Sequence, residues 1–402
     1  MLTVLYPQIL TFVESLSIGL WPLQLKSEPG PKLLIKATKE MLLTAKMNLG
    51  FKLYVVPIIL AGKNTIGLIT AFFDDEDEPL VIFTPVFQDD SSSDLLDILR
   101  LSRLDIHFFD EHSREFLGYT SEVNHPPEAH QRLENSLCPF DLELAASAHT
   151  QMKTWFGLRS SQDDLSAISI SLKESHFGED MVIIDAREDS HPYPGSPAFS
   201  FSQLERKEPG SFQELDIARS LGRIFAANEI VMNPLHVSDD NELSDIMLVT
   251  DSEIVILQAK DSPNTEKILR NSLARKKLTA QKNLFKALDQ VRGALRYIMS
   301  MTPLRVKVGS EIVEIKIGSR KIRALIIVKE LFEDQYAVYS PPLIEFSRES
   351  GIPCIALDYG ELLAYTELSS KEKFFQAFDL VHFHGRDTGQ FPRLRIWKND
   401  EL

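Results

Sequence analysis

The chain has 402 residues, 44% of them hydrophobic and 25% charged; that length suits two domains, or three, and that composition excludes wholesale disorder. It contains no run of eighteen apolar residues, so no membrane span is expected. The net charge of −15 argues on its face against a polyanionic partner. Met1–Leu20 is apolar, carries Glu14 and has no basic residue before Lys26, which predicts an amphipathic first helix rather than a signal peptide. Pro31–Leu49 mixes apolar and basic residues at helical spacing, and Phe51–Leu60 is an apolar run of strand length. Thr65–Phe73 and Pro79–Phe87 flank the acidic turn Asp74–Glu78 as a hairpin. Ser92 or Ser93 is expected to cap a helix over Asp94–Leu101. A second hairpin, Leu104–Phe109 and Glu115–Thr120, turns at Asp110–Arg114, and residues 127–175 are predicted to be largely helical.

Nothing in these first 185 residues carries a chemical motif. Gly62-Lys63-Asn64 lacks the spacing of a phosphate-binding loop, and the acidic clusters read as solvated turns. They form an expected N-terminal α/β domain, 1–185. Proline, glycine and charge concentrate in 186–211, which includes His191-Pro192-Tyr193-Pro194-Gly195 and Glu208-Pro209-Gly210, so a linker is placed there. The second domain, 212–402, is predicted to run as a helix over Phe212–Ala227 and strands over Ile230–Val237, Asp245–Thr250 and Glu253–Lys260. A long helix over Leu273–Met301, a hairpin over Arg305–Ile317 and a strand over Ile322–Val328 follow. A helix over Pro342–Ser350, a strand over Ile352–Leu357 and a helix over Lys371–Phe378 complete it. Its core order is α-β-β-β-α-β. His382-Phe383-His384 reads as a polar edge strand rather than a metal site, and Trp21, Trp155 and Trp397 read as packing residues. Cys138 and Cys354 have no zinc-type spacing; Cys354, in an apolar run, is expected to be a buried reduced thiol, which fits a cytoplasmic setting.

Charge is unevenly spread. Residues 1–150 hold 11 Lys/Arg against 21 Asp/Glu, whereas residues 260–330 hold 17 against 6. A basic island of this kind is either a solvated helix face or a phosphate-contacting surface, since local field rather than net charge concentrates a polyanion. The candidate phosphate contacts are Arg275, Lys276, Lys277, Lys282 and Lys286.

The island borders a more specific pattern: Asp245, then twelve residues, then Gln258-Ala259-Lys260. The two ends lie on neighbouring predicted strands, and Gln258 and Lys260, two apart, share a face. They terminate the run Ile254–Leu257, apolar on both faces as in an internal strand. On the preceding helix Glu214 heads the stripe Ala218, Leu221, Phe225, with Asp216 expected on the wet side; Glu242, Asp239 and Asp240 are alternative sources of a carboxylate. On the long helix Lys286, Gln290 and Tyr297 share a stripe beside the packing face.

This arrangement resembles the PD-(D/E)xK nuclease superfamily, in particular its Mrr-like restriction endonuclease branch, over roughly residues 212–360. The resemblance implies a mixed-sheet nuclease core and a metal-dependent endonuclease that hydrolyses phosphodiester bonds in DNA, in defence against foreign DNA. By it Glu214 is the helix-borne acid, Asp245 the principal metal-binding aspartate and Gln258-Ala259-Lys260 the Glu/Gln-x-Lys motif, with Gln290 on the following helix. Metal ligands would be Asp245, Glu214, the Gln258 amide oxygen and the Ala259 carbonyl; the cofactor would be Mg²⁺, with Mn²⁺ as the alternative. The sequence departs from the fuller pattern in having Ser244 before Asp245 and Gln258 in place of an acid. A catalytically inactive nucleic-acid-binding module and an RNA-directed nuclease stay open as alternatives. Residues 1–185 would then serve as a sensor, specificity or assembly module, through which a second copy or an accessory protein could attach.

Overall fold

The computed structural model describes residues 1–393 apart from 29, 136, 179–180, 189–190, 209 and 368–369; Trp397 lies outside the described residues. The protein is mixed α/β and its residues group into two units. One comprises Met1–Met181, Gln203–Arg206 and Asn264–Arg270; the other comprises Val182–Ser202, Lys207–Pro263 and the chain from Asn271 onward. Among the described residues no helix is long and apolar enough to cross a membrane.

In the first unit the apolar N-terminus forms α1 (Leu2–Leu5), α2 (Ile9–Ser15) and β1 (Gly19–Leu23) instead of one helix. Residues 31–49 divide into β2 (Lys32–Lys36) and α3 (Lys39–Asn48), so the helix expected there starts late. Tertiary pairing overrides local spacing at this point: β2 is hydrogen-bonded to a strand on each side, and the buried Lys36 ammonium finds Val13 O, Leu16 O and Ser113 Oγ at 2.7–3.0 Å. The strands β3 (Gly50–Leu60), β4 (Lys63–Phe72) and β5 (Leu80–Pro85) form an antiparallel meander; Ala61 and Gly62, at φ 49° and 76°, make the first turn. Helix α4 (Asp90–Leu99) is capped by Asp89, which accepts from Ser92 N at 2.8 Å, so it begins four residues before the expected start. The hairpin β6 (Arg103–Phe109) and β7 (Glu115–Asn124) is followed by α5 (Pro127–Arg132), α6 (Leu142–Gly157) and α7 (Ser161–Leu165). The chain then enters β8 (Ile168–Ser175) where helix was expected; Ile168, Ile170 and Leu172 alternate with Ser169, Ser171 and Lys173, which is strand period. The eight strands run in the order β1-β2-β6-β7-β8-β3-β4-β5, with only β2 and β6 parallel.

In the second unit β9 (Ile183–Asp185) pairs antiparallel with β10 (Ser200–Ser202). Part of 186–211 packs on this unit: Met232 N–H donates to Pro194 O at 2.8 Å, and a Cβ on Gly195 would sit 2.3 Å from Met232 O. Next come α8 (Gly210–Leu221), β11 (Ile230–Met232), β12 (Leu235–His236), β13 (Ile246–Val249) and β14 (Glu253–Lys260). The short α9 (Glu266–Leu269) belongs to the first unit, on α3. Then follow α10 (Leu273–Ser300), β15 (Leu304–Val308), β16 (Glu311–Ile315), β17 (Lys321–Val328), α11 (Tyr336–Ser350), β18 (Cys354–Asp358), α12 (Tyr359–Thr366) and α13 (Lys371–Thr388). The main sheet has the order β11-β13-β14-β17-β18, antiparallel through β14 and parallel beyond it; β12, β15 and β16 make a separate antiparallel sheet. The strand expected over 230–237 is thus split between two sheets at Asn233-Pro234, with Asn233 at φ 47°.

Ile254–Leu257 of β14 are fully buried. Helix α10 lays Leu284, Ala287, Leu288, Val291, Leu295 and Ile298 against β14 and β17, while α8 packs on β11 and β14 and α12 on β17 and β18. Residues 382–384 lie in α13, not in a strand, because Phe374, Phe378, Val381 and Gly385 recur at helical spacing on the core face. His382 is buried, its Nδ1 3.4 Å from Cys354 O, whereas His384 is exposed, so the two rings do not share a face. Trp155 packs edge-on against Tyr54, and both cysteines are free and buried.

Candidate metal centre

The β13–β14 hairpin turns at Asp251-Ser252, and its register pairs Ile246 with Leu257, which sets Asp245 opposite Gln258 one step further along. There the Gln258 Nε2 donates to Asp245 Oδ2 at 2.7 Å, and the Ala259 N–H donates to the same oxygen. Both side chains are inside the protein, Asp245 at 3% exposure and Gln258 at 1%. Lys260, two residues on, ends the strand half-buried.

Glu214 reaches the same place from α8, which ends at Leu221, short of the expected Ala227; Ala218 and Leu221 on its stripe are buried, as is Phe225 in the turn beyond it. Asn233 hydrogen-bonds the Glu214 side chain and donates its N–H to Asp245 O at 2.9 Å, tying helix to strand. Sequence reasoning missed Asn233; the available signal was Asn-Pro directly after a strand, a turn starter that tolerates positive φ. Asp216, expected on the wet side of α8, is buried instead. Of the alternative acids, Glu242 joins the group: carboxylate oxygens of Glu214, Glu242 and Asp245 lie within 4.8 Å of one another. Asp239 is engaged with Asn241 and His236, and Asp240 with Lys307 at 2.8 Å.

Burial and crowding hold Glu214 and Asp245 toward their neutral form. Burial, then the Asp245 charge, pushes Glu214 up to about 7, against the pull of Asn233 and Lys260. Asp245 rises to about 6, chiefly through burial and also through the nearby Glu242 charge, against Lys260 and the Ala259 N–H. Both shifts are upward, so between about pH 4 and pH 7 the metal-free native state binds more protons than the unfolded chain, and its stability falls as pH rises through that window. Denaturation of the metal-free protein at pH 5.5 and pH 8 should therefore show a loss at the higher pH. Glu214→Gln should shrink that loss by at most about 3 kcal/mol; an identical loss in the variant would mean that Glu214 is ionised throughout.

The donor set is all oxygen, the kind that hard divalent cations take. The Gln258 Oε1 is buried without a hydrogen-bond partner, an arrangement that costs about 1–3 kcal/mol unless something satisfies the oxygen. The Gln290 Oε1 on α10 is likewise buried and unpartnered, but Gln290 shares no hydrogen bond with Glu214, Asp245 or Gln258. Tyr297, on the same stripe, is structural: its hydroxyl donates to Arg305 O and accepts from Val237 N, and its ring stacks on His236 at 3.9 Å. Arg275, Lys282 and Lys286 are exposed on α10, Lys276 is half-buried, and Lys277 is ion-paired with Asp334 at 2.8 Å. No family model matches the chain, and no curated protein matches it in sequence.

Proposed function

We propose that the second unit is a metal-dependent endonuclease of the PD-(D/E)xK type, acting on DNA in the cytoplasm, with a role in defence against foreign DNA. The observation that supports this most is the pairing of Asp245 with Gln258 and Ala259 on adjoining strands, with the Lys260 charge and Glu214 acting on the same carboxyl. Asp245, Glu214 and the Gln258 and Ala259 oxygens would hold Mg²⁺ or Mn²⁺. A divalent ion bound there supplies an acidified water and relieves the charge that grows on the phosphoryl oxygens. Lys260 holds the attacking water or neutralises the transition-state charge, and Gln290 orients backbone phosphate. Arg275, Lys282 and Lys286, exposed on one side of α10, meet flanking phosphates.

Incubation with duplex DNA, single-stranded DNA and RNA, in Mg²⁺, Mn²⁺ or EDTA, tests the activity. Metal-dependent DNA cleavage is the expected result; cleavage of RNA alone would redirect the substrate, and binding without cleavage under any metal would leave a binding module. Binding itself should weaken steeply with salt. Alanine at Arg275, Lys282 and Lys286 together should reduce the log–log salt slope by roughly 2–3, about 0.9 per lost phosphate contact on duplex DNA. An unchanged slope would place the phosphates elsewhere.

A further inference from the structure

In the motif that this chain resembles, the position of Gln258 more often carries an acid, so a metal site here has one negative charge fewer than usual. We infer that Glu242 supplies it, as a third carboxylate ligand delivered from the loop between β12 and β13. The inference rests on the nuclease reading of the site and adds to it the residue that completes the ligand set.

Three observations carry it. The Glu242 carboxylate lies with those of Glu214 and Asp245, with one oxygen of each within 4.8 Å of the others. Acidic side chains gather on many surfaces without binding anything, but this group has a second feature that such surfaces lack. The Gln258 amide is 1% exposed and fastened to Asp245 through Nε2 at 2.7 Å, so its unpartnered Oε1 is fixed on the same amide group next to the Asp245 carboxyl with no donor to satisfy it. A divalent cation satisfies both a buried carbonyl oxygen and converging carboxylates, and offsets the negative charge that gathers when all three acids ionise.

The third observation is that the Glu242 backbone is fixed. Leu235 and Glu242 bridge antiparallel, His236 N donates to Asn241 O and Leu243 N to Pro234 O, each at 2.8 Å, and the Leu243 side chain is buried. The side chain of Glu242 is exposed, in contrast to Asp245 and Gln258. It therefore closes the site from the solvent side, where an ion must enter, while the buried pair sets the inner ligands.

Mn²⁺ binding to the full-length chain, followed by calorimetry and by the paramagnetic signal of the free ion at pH 8, tests this without relying on cleavage. The wild type should bind Mn²⁺ and Asp245→Asn should not. Glu242→Gln, at an exposed position that leaves the fold intact, should weaken binding at least about tenfold, the loss typical even of residues that only support a ligand. Adding Gln258→Glu to Glu242→Gln returns the missing charge and should restore affinity to within about threefold of wild type. Unchanged affinity in Glu242→Gln overturns the inference, as does a double variant no tighter than the single one. If the wild type binds no Mn²⁺, or Asp245→Asn binds as tightly as wild type, the metal-site reading beneath it fails; loss in Asp245→Asn with none in Glu242→Gln removes Glu242 alone.

Discussion

Lys260→Ala is expected to lower metal-dependent cleavage by about 10²–10³-fold or more, the usual contribution of a group that stabilises charge in a water-poor site. Nucleic-acid affinity and the fold should persist, because one phosphate contact among many carries little of the binding and the Lys260 side chain is half-buried at the end of its strand rather than in the core. Its charge also draws down the proton affinity of Asp245 and Glu214, so the comparison belongs at pH 8 and above, past the values of about 6 and about 7 that those acids hold in its presence. Asp245→Ala should abolish cleavage as well, through loss of the carboxylate that Gln258 and Ala259 position. Gln258→Glu should preserve or strengthen Mg²⁺ dependence, since the amide oxygen would be exchanged for a charged one at the same place. Cleavage that survives both Asp245→Ala and Lys260→Ala would remove these residues from the chemistry.

Arg323→Ala is expected to cost the second unit about 3–5 kcal/mol, a large share of the stability of an ordinary domain. Arg323, on β17 and 2% exposed, donates from Nε to Glu253 at 2.9 Å and from both terminal nitrogens to Asp379 of α13. Its guanidinium also lies over the rings of Phe375 and Phe378, at 5.4 and 5.2 Å. Removing it leaves the buried Glu253 and the half-buried Asp379 without their shared counter-charge. Urea denaturation of Arg323→Ala should show the loss, and Arg323→Met with Glu253→Gln should recover much of it by removing the orphaned charge. A loss below about 1 kcal/mol in Arg323→Ala would mean that water satisfies the carboxylates. Glu253 opens β14 and Lys260 ends it, about 23 Å away along the strand, so variants that remain folded should bind Mn²⁺ as the wild type does.

The juxtaposition of Asp245, Gln258 and Lys260 was legible from the sequence because a hairpin with a two-residue turn fixes its own register. Counting outward from Asp251-Ser252 is enough to set Asp245 opposite Gln258, and the two-residue period puts Lys260 on the same face. Glu214 was legible as the odd carboxylate on an apolar stripe, and the length of α10 as a sustained helical period without a breaker. These are local regularities, and one sequence contains them.

Only the tertiary structure decided the rest. Residues 32–36 became a strand because β1 and β6 supply hydrogen bonds on both edges, and His382 became helical because the α13 face is buried; no local pattern announces either partner. Glu242, Asp239 and Asp240 look equivalent in sequence. The bridge between Leu235 and Glu242 selects the first for the carboxylate group, while Asp239 and Asp240 are taken up by His236, Asn241 and Lys307. The Glu253–Arg323–Asp379 cluster joins residues 70 and 56 positions apart. Pairings at that range follow from the packing of whole elements, which fixes the partners of a buried charge only once the sheet and its helices have assembled.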